Sequence, residues 1–201
     1  MTTDIVIEPL QPAMAPEAAR IMSIALMANP MTIAMWGGEG ESQRLRMEKL
    51  IRDVNLAHPL TQGLVAKQGD RIVGATNWIE WPHCQVSFRD SLRFIPIMLN
   101  TLRGATLRSI RLYSSWAKFD PHKPHRHLDM IGVLPEMQGQ RIGYQICAGI
   151  RDALDEQNKA GYLETALPGV VKIQEHFGFT VVGETKLLGV HNWFMWREAQ
   201  G

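Results

Sequence analysis

The sequence predicts one α/β (α+β) domain over residues 1–201, built on a mixed, mostly antiparallel, twisted sheet of about seven strands with helices on its flanks. Three observations predict it. Alternating runs rich in β-branched residues recur between segments of helical spacing, so strands and helices take turns along the chain. The last two β-type runs, "FTVVGETKLL" and "HNWFMWRE", follow one another with no helix between them, which calls for an antiparallel pair. No linker, repeat or low-complexity tract divides the 201 residues, a length that suits a single core.

Each element has a local reason. "DIVIEPL" alternates and reads as a first strand. Residues 13–28 carry Met14, Ala18, Ile21, Ile24 and Ala25 at helical spacing, and Asn29-Pro30 ends that helix. "MTIAMWGGEG" reads as a loop, followed by a second helix over 40–57 with Leu45, Met47, Leu50, Ile51 and Val54 as its apolar stripe. "GLVAKQGDRIVGATNWIEW" is a hairpin turning at Gln68-Gly69-Asp70. A helical insertion is expected at about 87–118, with Leu92, Ile95, Met98, Leu99 and Leu102 periodic and Pro96 as a kink. After the loop "DPHKP", the strand "HRHLDMIGV" runs into "LPEMQGQRIGYQI", and Ile142, Ile146, Ile150, Ala153 and Leu154 mark a long amphipathic helix. "GYLETAL" is a strand, and 168–177 a short helix with proline in its first turn and Gly178 as its stop.

Composition narrows the function classes. Hydrophobic residues make up 45% and charged residues 20%, and the formal net charge is +1, so no basic field points to nucleic acid. The two cysteines, Cys84 and Cys147, form no CxxC pair, and free thiols in a reducing, cytoplasmic setting are expected. The N-terminus lacks the basic-then-apolar pattern of a signal peptide, and "IMSIALMANPMTIAMW" is broken by Asn29-Pro30, so no membrane span is expected.

The stretch "VLPEMQGQRIGYQI" carries the chemistry. A helix that starts after a strand offers unpaired N–H groups and partial positive charge, and glycines there let the backbone approach an anion. "HLDMIGVLPEMQGQRIGYQI" resembles the central motif of the GCN5-related N-acetyltransferase (GNAT) superfamily, in which a Q/R-x-x-G-x-G/A loop binds the pyrophosphate of coenzyme A; Val133, Pro135, Gln138 and Gly143 match in register. "YLETALPGVVKIQEHFGF" resembles the next motif through Glu164, Thr165, Glu175, Gly178 and Phe179, and "NWFMWR" the closing strand. The resemblance implies a sheet splayed open as a cofactor cleft and acetyl-CoA as co-substrate. It places the backbone of Ile131, Gly132 and Val133 along the pantetheine arm. It puts Gln138, Gly139, Gln140, Arg141, Ile142, Gly143 and Tyr144 at the phosphates. Gln174 falls where the family often has a tyrosine beside the sulfur, and Arg141 where it has a glycine.

Acetyl transfer to an amine needs a base, a donor to the thioester oxygen and alignment. Glu80, His127, Asp129 and Glu164 are the base candidates, and the N–H of Ile131 is the candidate donor; His127, Asp129 and Ile131 share one strand face by the two-residue period. Trp36, Trp78 and Glu80 are candidates for binding the acceptor. His122, His125 and His127 with Asp120 and Asp129 invite a zinc reading, but the spacing fits no zinc template and no metal is expected. The expected function is acetyl-CoA-dependent N-acetylation of a small-molecule amine by a monomer or homodimer, without nucleic acid or membrane partners. The alternative is an acyl-CoA-binding sensor without turnover, which Gln174 keeps open because an amide is no general acid.

Overall fold

The computed structural model describes residues 4–85 and 100–201. Leu92, Ile95, Pro96, Met98 and Leu99 of the expected insertion lie outside the described residues. From residue 100 on the chain is helical, through a 3-10 turn at Arg103–Ala105 into α4 (Thr106–Trp116).

Seven strands form one sheet in the order β1-β2-β3-β4-β5-β7-β6. They are β1 (Ile5–Pro9), β2 (Gln62–Gln68), β3 (Arg71–Glu80), β4 (Arg126–Val133), β5 (Gly161–Thr165), β6 (Thr180–Leu187) and β7 (Val190–Arg197). Every neighbouring pair is antiparallel except β4–β5. The helices are α1 (Ala15–Leu26), α2 (Pro30–Trp36), α3 (Glu41–Leu50), α4, α5 (Ile142–Glu156) and α6 (Pro168–His176). Among the described residues no single helix is long and apolar enough to cross a membrane, and α1 and α2 meet at a bend of 96°.

One element differs from the sequence reading. Asn29-Pro30 ends α1 as expected, but it also starts α2 in the stretch read as a loop. The Asn29 side chain accepts the N–H of Met31 at 2.8 Å, Pro30 occupies the first turn without needing its missing N–H, and Gly37 closes the helix in the left-handed region. The same dipeptide is a stop for one helix and a cap for the next.

The faces of the sheet follow from two adjacent pairs of residues. Gly74 pairs with Val133, and a Cβ on Gly74 would meet Ile146 of α5; Ala75 pairs with Gly132, and a Cβ on Gly132 would meet the Met22 backbone of α1 at 2.9 Å. Neighbouring residues point to opposite faces, so α1 and α5 sandwich the centre of the sheet. Ala18, Ala19, Ile21 and Met22 fill one side and Ile142, Ile146, Ile150 and Leu154 the other.

Pairing between β4 and β5 covers only Arg126↔Gly161 and His127↔Tyr162. Beyond His127 the two strands diverge. At the closed end of the resulting V, Arg126 is fully buried. Its Nη2 donates to Glu80 at 3.0 Å and Gln157 at 2.9 Å, and its guanidinium lies 4.8 Å from the centre of the Trp78 ring. Lys159 also donates to Glu80. Burial alone would raise the Glu80 carboxyl, but Lys159 and Arg126 outweigh it and hold the group below its ordinary value.

Two predictions follow from this packing. Gly132→Ala forces a methyl group against the α1 backbone and should cost about 1–3 kcal/mol, read as a lower midpoint in thermal unfolding. Because the folded Glu80 pKa is depressed, its ionised form stabilises the fold at pH values above its unfolded pKa near 4.5, and that contribution fades as pH falls through the lower folded value. Glu80→Gln should therefore be less stable than wild type at neutral pH, and the gap should narrow in acid-unfolding curves below about pH 4.5.

Candidate functional site

The open half of β4 is organised by a bulge. Trp78 pairs with Leu128 and Asn77 with Met130, so Asp129 is an extra residue with no partner on β3. Partners across an antiparallel pair share a face. His127, opposite Ile79, and Met130, opposite Asn77, therefore lie on the α1 side, whereas Ile131, opposite Thr76, lies on the α5 side. The expected common face of His127, Asp129 and Ile131 is corrected: one inserted residue breaks the period of two.

Asp129 is exposed, and its Oδ2 accepts two amide donors, Asn77 Nδ2 at 2.9 Å and Asn55 Nδ2 at 2.8 Å. Asn55 ends a wide turn, Ile51–Asn55, that follows α3 and closes with the Leu56 N–H on the Ile51 carbonyl at 2.8 Å. Neither asparagine was legible as a site residue. They lie 74 and 52 positions from Asp129, and only the folded sheet brings them to it.

His127 and Glu164 face one another across the bottom of the V, with His127 Nε2 on Glu164 Oε2 at 3.0 Å. His127 Nδ1 is 3.5 Å from Asp120 Oδ2, and His125 Nε2 is 3.2 Å from Asp120 Oδ1. Burial opposes a charge on either ring. Glu164 and Asp120 nonetheless raise His127 well above its ordinary value, and Asp120, Cys84 and the Lys123 carbonyl raise His125 to about 9. His127 is thus engaged by two carboxylates rather than free to accept a proton.

Burial and partners describe four more of the expected residues. Glu80 sits at the closed end of the V, paired with Arg126 and Lys159, which hold its carboxyl below its ordinary value. Trp78 is buried beneath Arg126 with its indole N–H donating to Gln62 at 3.3 Å. Trp36 is the last residue of α2 and is buried in the core, with Arg46 over its ring at 5.6 Å. Gln174 is buried, and its amide donates to Cys147 Sγ at 3.5 Å, so its side chain joins α6 to α5 instead of reaching into the cleft.

The loop after β4 keeps the features expected of it. The Gln138 amide donates back to the Val133 carbonyl at 3.1 Å and folds the loop against the strand end. Gly139 has φ +79° and a Cβ there would meet nothing within 4 Å. Arg141, at the N-cap of α5, has φ +61°, a left-handed conformation that costs a non-glycine residue about 1 kcal/mol. Ile142 anchors the helix in the core, while Arg141 and Tyr144 line one open hollow at its start. The Tyr144 hydroxyl meets His176 Nε2 at 2.6 Å. Gln140 and Gly143 complete the turn, the latter against Val133.

Tyr113 on α4 is a residue the sequence reading missed. Desolvation and the nearby charges of Asp129 and Glu164 push its phenol pKa up, although the residue keeps 43% of its surface exposed. Its ring packs edge-on against Trp116 at 5.8 Å.

No family model matches the chain, and no curated protein matches it by sequence. Solved structures do match in fold. One, described as histone acetyltransferase HPA2 and related acetyltransferase from Corynebacterium glutamicum, is 17% identical with a TM-score of 0.72, over 100% of this chain and 98% of that one. Arylalkylamine N-acetyltransferase 2 from Aedes aegypti is 9% identical with a TM-score of 0.66, over 98% and 100%. A structure from Desulfovibrio desulfuricans assigned to the GNAT family is 12% identical with a TM-score of 0.59, over 98% and 99%. The seven-stranded sheet, its V between β4 and β5 and these matches together give the chain the fold of the GCN5-related N-acetyltransferase superfamily.

Proposed function

We propose that the protein is an acetyl-CoA-dependent N-acetyltransferase that acetylates a small-molecule amine by direct transfer in a ternary complex. One observation carries this reading. The β4 edge loses its strand partner after His127, and that open edge runs directly into a glycine-bearing loop at a helix N-terminus. An extended pantetheine arm can pair with the free backbone of Ile131 to Val133 like an added strand, with its phosphates at Gly139 to Gly143. The fold shared with an arylalkylamine acetyltransferase supports a small amine as acceptor.

In this reading Asp129 takes the proton from the incoming ammonium, directly or through one water, its carboxylate fixed by Asn55 and Asn77. The amine nitrogen then attacks the thioester carbon, the N–H of Ile131 stabilises the oxygen, and the C–S bond breaks. The leaving thiolate takes the second proton that the attacking nitrogen must lose, directly or through water. Glu164, tied to His127, sets the width of the V. Monomer and homodimer both accommodate this scheme, and it needs no nucleic acid or membrane.

A second reading, an acyl-CoA-binding protein without turnover, is favoured by the burial of Gln174, which leaves no acid on α6 at the sulfur position. Thiol release from acetyl-CoA across an amine panel, beside calorimetric binding, separates the two. Binding without thiol release would select the second.

Acetyl-CoA at concentrations well above its Kd should raise the thermal midpoint by mass action, and an unchanged midpoint at millimolar ligand would remove both readings. Asp129→Asn should lower kcat by about 10²- to 10⁴-fold while CoA affinity stays within about twofold; unchanged turnover would remove Asp129 as the base. Arg141→Gly relieves the left-handed strain but loosens the unfolded chain, so stability should stay within about 1 kcal/mol of wild type. CoA affinity should nevertheless fall several-fold, with a smaller deficit for phosphate-free pantetheine or in high salt.

A further inference from the structure

Four side chains outside the acetyl-transfer scheme converge beside β4. Cys84 comes from the turn after β3, Asp120 and His125 from the segment that precedes β4, and His127 from β4 itself; their ligand atoms all lie within 4.8 Å of one another. Asp120 Oδ1 is 3.2 Å from His125 Nε2, Cys84 Sγ is 3.7 Å from the same nitrogen, and Asp120 Oδ2 is 3.5 Å from His127 Nδ1. A tetrahedral zinc ion with bonds of about 2.0–2.3 Å separates its ligands by roughly 3.3–3.8 Å, so these three spacings are close to its requirement and the wider ones must contract by about 1 Å.

The outward nitrogens of the two rings point to the same conclusion. His125 Nδ1 is 2.8 Å from the Lys123 carbonyl, which can only accept, so that nitrogen carries the hydrogen. His127 Nε2 likewise donates to the Glu164 carboxylate at 3.0 Å. In the neutral rings this leaves His125 Nε2 and His127 Nδ1 with their lone pairs turned toward the oxygens of Asp120. Lone pairs cannot face one another in a dry site without a positive charge between them, which a proton on each ring or one divalent cation supplies, and the His125 side chain is 0% and that of Asp120 8% exposed. Histidine ligands of a metal are held in this manner, with the far N–H on a carbonyl or carboxylate. Gln85 Nε2, 3.5 Å from Asp120 Oδ1, steadies the carboxylate from outside. The Tyr162 ring packs edge-on against both imidazoles, at 5.6 and 5.1 Å, and walls the cluster off.

We propose that Cys84, Asp120, His125 and His127 form a four-ligand zinc site. The donor set of one sulfur, two nitrogens and one oxygen suits zinc, and the thiolate and carboxylate balance its two charges. Binding displaces to solvent the Cys84 thiol proton and the protons that the two imidazoles hold toward Asp120, with no change of oxidation state. Four protein ligands make the site structural: it ties the end of β3 and the segment after α4 to the base of β4. Its outward partner Glu164 stands on β5, so the ion also fixes the distance between the strands where the V opens. Cys84 lies 36 positions before Asp120, which is why the histidine spacing alone fits no zinc pattern. The site does not depend on the acetyltransferase reading.

The test uses the full chain, freed of tag and stripped with a chelator, then titrated with zinc against a chromophoric competitor. One equivalent should bind, and the thermal midpoint should rise with zinc. Cobalt substitution should give a thiolate charge-transfer band that is absent from Cys84→Ser. Cys84→Ser and His125→Gln should each weaken zinc binding at least tenfold, while His58→Ala and His191→Ala, at surface histidines, should leave it unchanged. Failure of the wild type to bind one equivalent, or binding that survives Cys84→Ser and His125→Gln but falls with the surface variants, would overturn the proposal. A cobalt complex without the thiolate band would remove Cys84 from the site.

Discussion

The parallel pairing of β4 with β5 stops after two residue pairs, and the rest of the structure is arranged around that stop. A sheet edge left open inside a fold exposes backbone donors and acceptors that burial would penalise. Here the opening is bounded at its closed end by polar side chains and at its open end by a turn. The Asp129 bulge lies just past the last pair, where an inserted residue bends a strand away from its neighbour. Splay, bulge and loop are thus one feature of β4: it begins paired on both sides, loses one partner, and ends in a helix cap.

The closed end has to resist opening, and it does so with buried charge. Arg126 is fully buried between Glu80, Gln157 and the Trp78 ring. A buried guanidinium carries a large desolvation cost, offset only by good partners. Arg126 therefore contributes position more than stability: its carboxylate and amide partners fix where β3, β4 and the end of α5 meet. Arg197 works similarly farther out, donating to the Phe177 carbonyl at 2.9 Å and pairing with Asp155, so that α6 and α5 are held to β7.

Different groups stand at the two ends of the open half of β4. The loop that follows it offers N–H groups and a cation, while the bulge offers a carboxylate held by two amides. The α1 side chains pack so closely on Gly132 that the strand cannot shift toward that helix. The position of β4 is thereby set by packing on one face and by the loop at one end. The imidazoles at the base of the V are engaged by carboxylates, His125 by Asp120 and His127 by Asp120 and Glu164.

The sequence by itself determined the order of the strands and of the helices other than α2, the hairpin at Gln68 to Asp70, the long helix from Ile142 and the glycine-bearing loop before it. These are local: each rests on periodicity, a proline, a glycine or a cap within a few residues. It also made Arg141 a position of interest, since a side chain where glycine is usual must take strain or a right-handed conformation, and the structure gives φ +61°. Tertiary structure alone decided the rest. Trp36, Trp78, Glu80 and Gln174 are ambiguous in one dimension, because an aromatic, carboxylate or amide near a strand or helix end can face core or cleft, and packing buried Trp36, Trp78 and Gln174 and paired Glu80 with Arg126 and Lys159. The bulge that separates Ile131 from His127 is invisible to a period-two reading, since it depends on which residue of β3 lies opposite. Asn55, Asn77, Tyr113 and Cys84 reach the region from distant segments, and no local spacing encodes a contact that forms only when the sheet is assembled.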